Sequence, residues 1–379
     1  MAAQQHGGWR PGNPPGRRQF AALDGLSLEL GGNIPNVTLA YETYGTLNRE
    51  GTNAVLVLHA LTGDSHVAGA ATEGHISPGW WNDLVGPGKA VDTNNWFVVC
   101  PNVLGGCQGS TGPSSLHPDG DIWGARFPTI TIRDQVAAEI LLADTLHIDR
   151  FAAVIGGSMG GMRVLEWGIM APERMLGLAP IAVSATATAD QIGLQTMQIN
   201  MIRSDPAWKD GTYLTDPTAP APTQGLMLAR QLAHWSYRSR EEFSLRFTRR
   251  AQDGEDPLRD GRFAVSSYLE YHGTKLAGRF DAASYVALTH AMNTHDVGRG
   301  RGGVSAALAQ IRADVIVAGI DSDRLYPLEE QHALAHQLHI KGDRATVIRS
   351  PYGHDGFLIE APQVGRIIGG LLTRIRARL

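Results

Sequence analysis

The sequence predicts an α/β protein: a mainly parallel sheet covered on both faces by helices and interrupted late in the chain by a helical insertion. Three observations lead there. Short apolar runs recur at residues 54–59, 96–100, 151–155, 178–183, 315–320 and 345–348, as expected of strands buried on both faces. Helical periodicity lies between them, as at 132–146, where Val136, Ile140, Leu141 and Leu142 are the apolar positions. The alternation then stops between Ser184 and Gly303, where helical segments at 189–204, 225–237, 240–252, 265–278 and 282–292 take over. Strands alternating with helices argue for a parallel sheet. An insertion above the strand ends is well placed to be a lid.

Ahead of these, residues 23–30 and 37–44 read as two β segments separated by Gly31-Gly32-Asn33. The chain therefore divides into a tail (1–20), a first core portion (21–184), a helical lid (185–303) and a second core portion (304–379). The tail is rich in Gly, Pro, Gln and Arg without an apolar run, and reads as disordered and as a poor signal peptide. A proline-rich loop at 216–222 separates the first two lid helices.

The 379 residues are 43% hydrophobic, enough for a full core plus a large insertion. A net charge of −4 and a pI near 6.4 provide no strong field for nucleic acid or an anionic membrane, so neither is expected as a partner. Cys100 and Cys107 are too few for a disulfide scaffold and lack a second pair at zinc spacing, so two ordinary thiols and no metal are expected. No stretch approaches the ~18–20 continuous apolar residues of a membrane span. A soluble, cytoplasmic protein is the expectation.

The most informative segment is Gly156-Gly157-Ser158-Met159-Gly160-Gly161. It follows the run at 151–155 and precedes apolar residues at helical spacing over 162–170. Strand, Gly-x-Ser-x-Gly, helix is the context of a nucleophile elbow, and the glycines allow a sharp turn where a Cβ would clash. The plain alternative is a glycine-rich turn with an incidental serine; the partners further along the chain argue against it.

A serine hydroxyl needs a base to take its proton, and the base needs an orienting acid. In α/β-hydrolase folds these follow the serine in the order Asp or Glu, then His. The loop after 315–320 supplies Asp321 and Asp323, which spacing alone does not separate. The Gly-flanked loop after 345–348 supplies His354. With fourteen histidines in the chain, location has to discriminate. His332, His336 and His339 read as surface residues, His59 as a local hydrogen-bonding group at a strand end, and Asp343 as a turn residue. Acyl transfer also needs donors for an oxyanion. The N–H of Met159 is one candidate; the loop His59-Ala60-Leu61-Thr62-Gly63 offers the other at Leu61, with Ala60 and Thr62 open.

Longer motifs then carry a family resemblance. They are His59-Ala60-Leu61-Thr62-Gly63-Asp64-Ser65-His66, Pro78-Gly79-Trp80-Trp81, Asn102-Val103-Leu104-Gly105-Gly106-Cys107 and Gly109-Ser110-Thr111-Gly112-Pro113. Further on stand Ala187-Thr188-Ala189-Asp190-Gln191, His295-Asp296-Val297-Gly298-Arg299-Gly300-Arg301-Gly302, Ser322-Asp323-Arg324-Leu325-Tyr326-Pro327 and Gly353-His354-Asp355-Gly356-Phe357. With the elbow, they make the chain similar to the homoserine O-acetyltransferases of methionine biosynthesis, within the α/β-hydrolase superfamily, from about Leu23 onward. The resemblance implies Asp323 as the triad acid. It also implies Arg230 on the substrate carboxylate, Asp355 on the substrate ammonium, and a weaker substrate role for Tyr237. An amino-acid substrate does need one anchor of each sign, and arginine grips a carboxylate in bidentate fashion.

The resemblance further implies acetyl-CoA and L-homoserine as substrates, no bound cofactor, and a homodimer packed through the lid helices. Succinyl-CoA as donor, serine as acceptor, an esterase or thioesterase, and a non-catalytic binding protein are the rival readings. The loop at 213–223 departs from the family pattern, which concerns the lid's local shape rather than its chemistry.

Overall fold

In the computed structural model, which describes residues 7–216, 218–340 and 342–379, nine strands build one sheet. They are β1 (Gln19–Leu23), β2 (Val37–Tyr44), β3 (Ala54–Leu58), β4 (Phe97–Pro101), β5 (Phe151–Gly157), β6 (Met175–Ile181), β7 (Asp314–Val315), β8 (Ala318–Ile320) and β9 (Thr346–Ile348). Their order is β1-β2-β4-β3-β5-β6-β8-β9, with β7 also paired to β6. β1 and β2 form an antiparallel edge; from β4 to β9 every pairing is parallel. Every residue of β3 and β5 is buried, which is why both read as unbroken apolar runs.

Helices cover both faces. α1 (Ile132–Thr145) starts in a capping box, with the Asp134 carboxylate accepting from the Thr131 N–H at 2.8 Å. α2 (Met159–Met170) is almost entirely buried. The lid comprises α3 (Ala189–Arg203), α4 (Thr223–Tyr237), α5 (Arg240–Arg246), α6 (Ala264–Ala277) and α7 (Ala282–Asn293). Its two ends are zipped together: Ala187 N–H donates to His295 O at 2.9 Å and Val297 N–H to Ala185 O at 3.1 Å. The insertion thus leaves and re-enters the core at one place. Then follow α8 (Val304–Leu308), α9 (Leu328–Gln337), α10 (Gly356–Ile359) and α11 (Ala361–Arg376). α11 buries Val364, Ile368, Leu371, Leu372 and Ile375, one stripe of a 3.6-residue period, against the sheet.

Several expectations need correction. The first strand is Gln19–Leu23 rather than 23–30; beyond Leu23, Leu26–Ser27 forms a small ladder with Asn33–Ile34. The run at 315–320 divides into β7 and β8. The helix expected over 240–252 stops at Arg246, and Thr248 takes a positive φ of 51°. The tail expected to be disordered over 1–20 is anchored at Gly8, Trp9 and Arg18, with residues 11, 12 and 14–17 exposed between them; residues 1–6 lie outside the described residues. Trp9 N–H donates to Cys107 O at 2.8 Å, and the Arg18 guanidinium is buried against Gly74 O at 2.7 Å and Gln108 Oε1 at 3.0 Å.

A buried polar knot, Glu42 with His66 and His75, holds that segment. The Glu42 carboxylate accepts from the Tyr44 hydroxyl (2.7 Å) and the Ser65 hydroxyl (3.0 Å), with His66 Nδ1 at 3.0 Å. His75 Nε2 lies 3.2 Å from the carboxylate and accepts from the Arg17 N–H at 3.1 Å. The three side chains are of metal-ligand type, and their ligand atoms lie within 4.8 Å of one another. His66 Nε2 faces the Ala70 carbonyl at 3.2 Å, and His75 Nδ1 is buried without a partner among the described residues. Both cysteines are buried and free, and burial raises both thiols, Cys107 to about 12. Among the described residues no helix is long and apolar enough to cross a membrane.

Candidate active site

Because β5 ends at Gly157 and α2 begins at Met159, Ser158 alone makes the turn between them. It adopts φ 57° and ψ −125°, a conformation costing about 1–3 kcal/mol for a residue with a side chain. Two hydrogen bonds hold it there: its N–H donates to Ile181 O at 2.9 Å, and its carbonyl accepts from Met162 N–H at 3.0 Å. Gly160 faces Leu58 O so closely that a Cβ would overlap that oxygen, and a Cβ on Gly157 would lie 2.6 Å from the Phe357 ring. The glycines of the motif are thus demanded by neighbours on β3 and α10.

Above the elbow runs the loop 59–63. Met159 is the first residue of α2, so its N–H has no intrahelical acceptor. The Leu61 N–H finds no backbone acceptor among the described residues. The loop is held from three sides. His59 Nδ1 donates to Ala60 O at 2.8 Å while Nε2 accepts from Val103 N–H at 3.0 Å. Burial, aided by Arg163, depresses this imidazole to about 3, so His59 is neutral and both its nitrogens are engaged in positioning. Arg163, wholly buried and paired with Glu139 at 2.5 Å, donates to His59 O. Arg279 donates to Thr62 O at 2.8 Å. The 59–60, 60–61 and 62–63 peptide planes are thereby held, and the middle one carries the Leu61 N–H.

The structure separates the two aspartates. Asp323 is buried, and its Oδ2 lies 2.6 Å from His354 Nδ1. Its Oδ1 accepts from the N–H groups of Leu325 (2.8 Å) and Tyr326 (2.9 Å). Asp321 is exposed, and its Oδ1 accepts from Ser350 N–H at 3.0 Å, tying one loop to the other. The His354 ring is stacked by Tyr326 at 5.2 Å and met edge-on by Phe357 at 5.5 Å, with Tyr237 at 5.8 Å. Phe357 is the ring that crowds Gly157, so the base lies beside the elbow. His354 Nε2 is buried and without a hydrogen-bond partner among the described residues.

Burial opposes the imidazolium of His354, yet the charge and hydrogen bond of Asp323, with Asp355 adding, hold it above its ordinary 6.5. A base must be neutral to accept a proton. Any reaction that uses His354 as its base is therefore expected to slow as pH drops, with the acid limb of kcat/KM centred above pH 6.5. A pH–rate profile centred below 6.5 would place the titrating base elsewhere.

Arg230, on α4, lies over the Tyr237 ring at 5.2 Å, and its Nε is buried without a partner among the described residues. Asp355, in the 3₁₀ turn Gly353–Asp355, is engaged at Oδ2 by Arg238 at 3.1 Å. Burial pushes its carboxyl up against the pull of Arg238, Arg230 and His354. A cationic and an anionic group thus flank the histidine, and Arg238 also grips Glu242 with two nitrogens. Sequence reasoning did not single out Arg163, Glu139, Arg238 or Arg279. For Arg163 a signal existed: with Glu166 it is one of two charges in the otherwise apolar α2.

A serine on a strained elbow, two amides without a backbone acceptor among the described residues, and a buried Asp–His pair form an arrangement able to run acyl transfer. The comparisons agree with it. The model of the α/β hydrolase fold family matches residues 53–361. Over 369 residues the chain is 56% identical to the homoserine O-acetyltransferase of Clavibacter michiganensis subsp. michiganensis (strain NCPPB 382), covering 97% of this chain and 95% of that one. The crystal structure of the homoserine O-acetyltransferase from Bacillus anthracis superposes with a TM-score of 0.86 at 28% identity, over 94% of this chain and 97% of that one. The crystal structure of esterase E22 superposes with a TM-score of 0.84 at 25% identity, over 94% and 99%. Length, identity and site geometry together establish that the chain belongs to the homoserine O-acetyltransferase family of the α/β-hydrolase fold.

Proposed function

We propose that the protein transfers an acetyl group from acetyl-CoA to the γ-hydroxyl of L-homoserine, in two half-reactions through Ser158. His354 Nε2 takes the Ser158 hydroxyl proton as Oγ attacks the thioester carbonyl carbon. The N–H groups of Met159 and Leu61 stabilise the resulting oxyanion. The C–S bond breaks, His354 returns the proton to the thiolate, and CoA leaves as its thiol. The γ-hydroxyl of homoserine then gives its proton to His354 and attacks the acetyl-serine ester. The bond to Ser158 Oγ breaks, the serine is reprotonated, and O-acetyl-L-homoserine departs. Arg230 takes the substrate carboxylate and Asp355 its ammonium, with Tyr237 backing Arg230. No bound cofactor enters any step.

The observation that carries this reading is the buried Asp323–His354 contact at 2.6 Å, in a chain of this family. The cytoplasm is the proposed location. A homodimer through the lid is supported by exposed Leu228, Leu245 and Tyr271 on α4, α5 and α6. Hydrolysis is the second reading, favoured by the likeness of fold to an esterase. The test is CoA release from acetyl-CoA with and without L-homoserine, beside succinyl-CoA and L-serine. Release that requires homoserine and prefers acetyl-CoA is expected. Equal release without an acceptor would make the protein a thioesterase and remove the roles of Arg230 and Asp355.

A further inference from the structure

Arg324, one residue past Asp323, reaches across to the last turn of α4. Its guanidinium lies over the Trp235 ring, 3.9 Å from the centroid, and donates to the carbonyls of Trp235 and Ser236, the latter at 3.4 Å. Carbonyls in the last turn of a helix lack intrahelical donors and sit at the negative end of its dipole, so a guanidinium there is favoured on both counts. Just beyond Arg324, the N–H groups of Leu325 and Tyr326 hold Asp323 Oδ1. A shift of Arg324 therefore moves the donors that orient the carboxylate.

The same end of α4 is fastened to the loop of the histidine. Arg238 pairs with Asp355 at 3.1 Å, and the Ser239 hydroxyl donates to Pro351 O. Gly353, at φ 65°, backs onto Tyr237 so closely that a Cβ would lie 2.5 Å from its carbonyl oxygen. α4 thus ends between the two loops that carry Asp323 and His354, and the helix itself carries Arg230 and Tyr237.

We propose that Arg324 is a positioning residue that locks the Asp323 loop to the C-terminal turn of α4, coupling the alignment of the Asp323–His354 pair to the seating of the helix that bears Arg230 and Tyr237. This rests on the reading of Asp323 and His354 as orienting acid and base. Small misalignments of such a pair are costly to rate, whereas the helix that carries Arg230 keeps its fastening through Arg238 and Ser239 when Arg324 is removed.

The test uses the full chain with Arg324→Ala, Arg324→Met and Arg324→Lys, and Arg374→Ala as control. The Arg374–Asp314 pair lies far along the chain on the surface and, being exposed, contributes little. Acylation of the serine is read as the burst with p-nitrophenyl acetate, which needs no particular acceptor. Turnover with acetyl-CoA and L-homoserine is read beside it, with the melting temperature. Arg324→Ala and Arg324→Met should slow the burst and kcat by about tenfold, with KM for homoserine within twofold of the parent. Arg324→Lys, which keeps a donor for the carbonyls, should recover most of the rate. A burst and kcat within twofold of the parent in Arg324→Ala would overturn the proposal, as would a loss confined to KM or to melting temperature. Should Arg324→Ala not fold, Arg324→Met, which keeps the length of the side chain and removes every donor, carries the same expectation alone. Absence of homoserine turnover in the parent chain would sink the substrate reading alone, because the burst still reports on Arg324.

Discussion

Replacing Ser158 by alanine is expected to lower homoserine-dependent acetyl transfer by about 10⁴- to 10⁶-fold without unfolding the protein. The elbow's geometry comes from its surroundings: β5 and α2 on either side, Gly160 against Leu58 O, and the hydrogen bonds from Ser158 N–H and to its carbonyl. None of these uses the hydroxyl. Alanine meets the same backbone strain at φ 57° as serine does, so the variant should melt close to the parent. Circular dichroism and a steady-state assay on the same preparation separate the two effects. A residual rate within tenfold of the parent would show that the acyl group never resides on this serine.

The second large effect is expected at Asp323. Its Oδ1 is committed to the N–H groups of Leu325 and Tyr326, and its Oδ2 to His354 Nδ1. In Asp323→Asn the single amide oxygen stays with the two backbone donors, because an NH₂ group cannot accept from them. The NH₂ is then turned toward His354 Nδ1, which must become an acceptor. The ring proton moves to Nε2, the nitrogen that has to accept from Ser158. A loss of about 10⁴-fold follows. Asp321→Asn should stay within about threefold of the parent, since the residue is exposed and an amide oxygen can still accept from Ser350 N–H. Parallel kcat/KM measurements on the two variants decide it: loss at Asp321 with tolerance at Asp323 would reverse the assignment.

The contrast between these aspartates shows where sequence patterns stop. Both stand within three residues of the end of β8, and spacing treats them alike. Only the path of the loop sends one carboxylate inward, onto His354 and two amides, and leaves the other in solvent. The elbow was legible because its chemistry is local: an apolar strand, glycines that neighbouring backbone demands, and a buried helix follow one another along the chain. The buried parallel strands were legible for the same reason, since β3 and β5 have no polar face to interrupt their apolar runs.

Long-range polar contacts were not legible. Arg18 lies in a segment whose composition reads as disordered, yet its guanidinium is buried against Gly74 and Gln108. Arg238 and Arg324 look like ordinary solvated charges, whereas one bonds to carboxylates of two elements and the other to the carbonyls ending α4. Such partners are set by where α4 meets the acid and base loops, which no periodicity encodes. α11 is a different omission: its apolar stripe at 364, 368, 371, 372 and 375 is plain once a helical period is applied.

The most direct measurement mixes the protein with acetyl-CoA and no acceptor, quenches in acid, and maps acetyl groups on its peptides by mass spectrometry. Acetylation confined to Ser158 is expected, lost within one turnover when L-homoserine is added, with O-acetyl-L-homoserine appearing in equal amount. Homoserine acetylation proceeding at full rate while Ser158 stays unmodified would contradict the account, because the donor and acceptor would then be reacting directly.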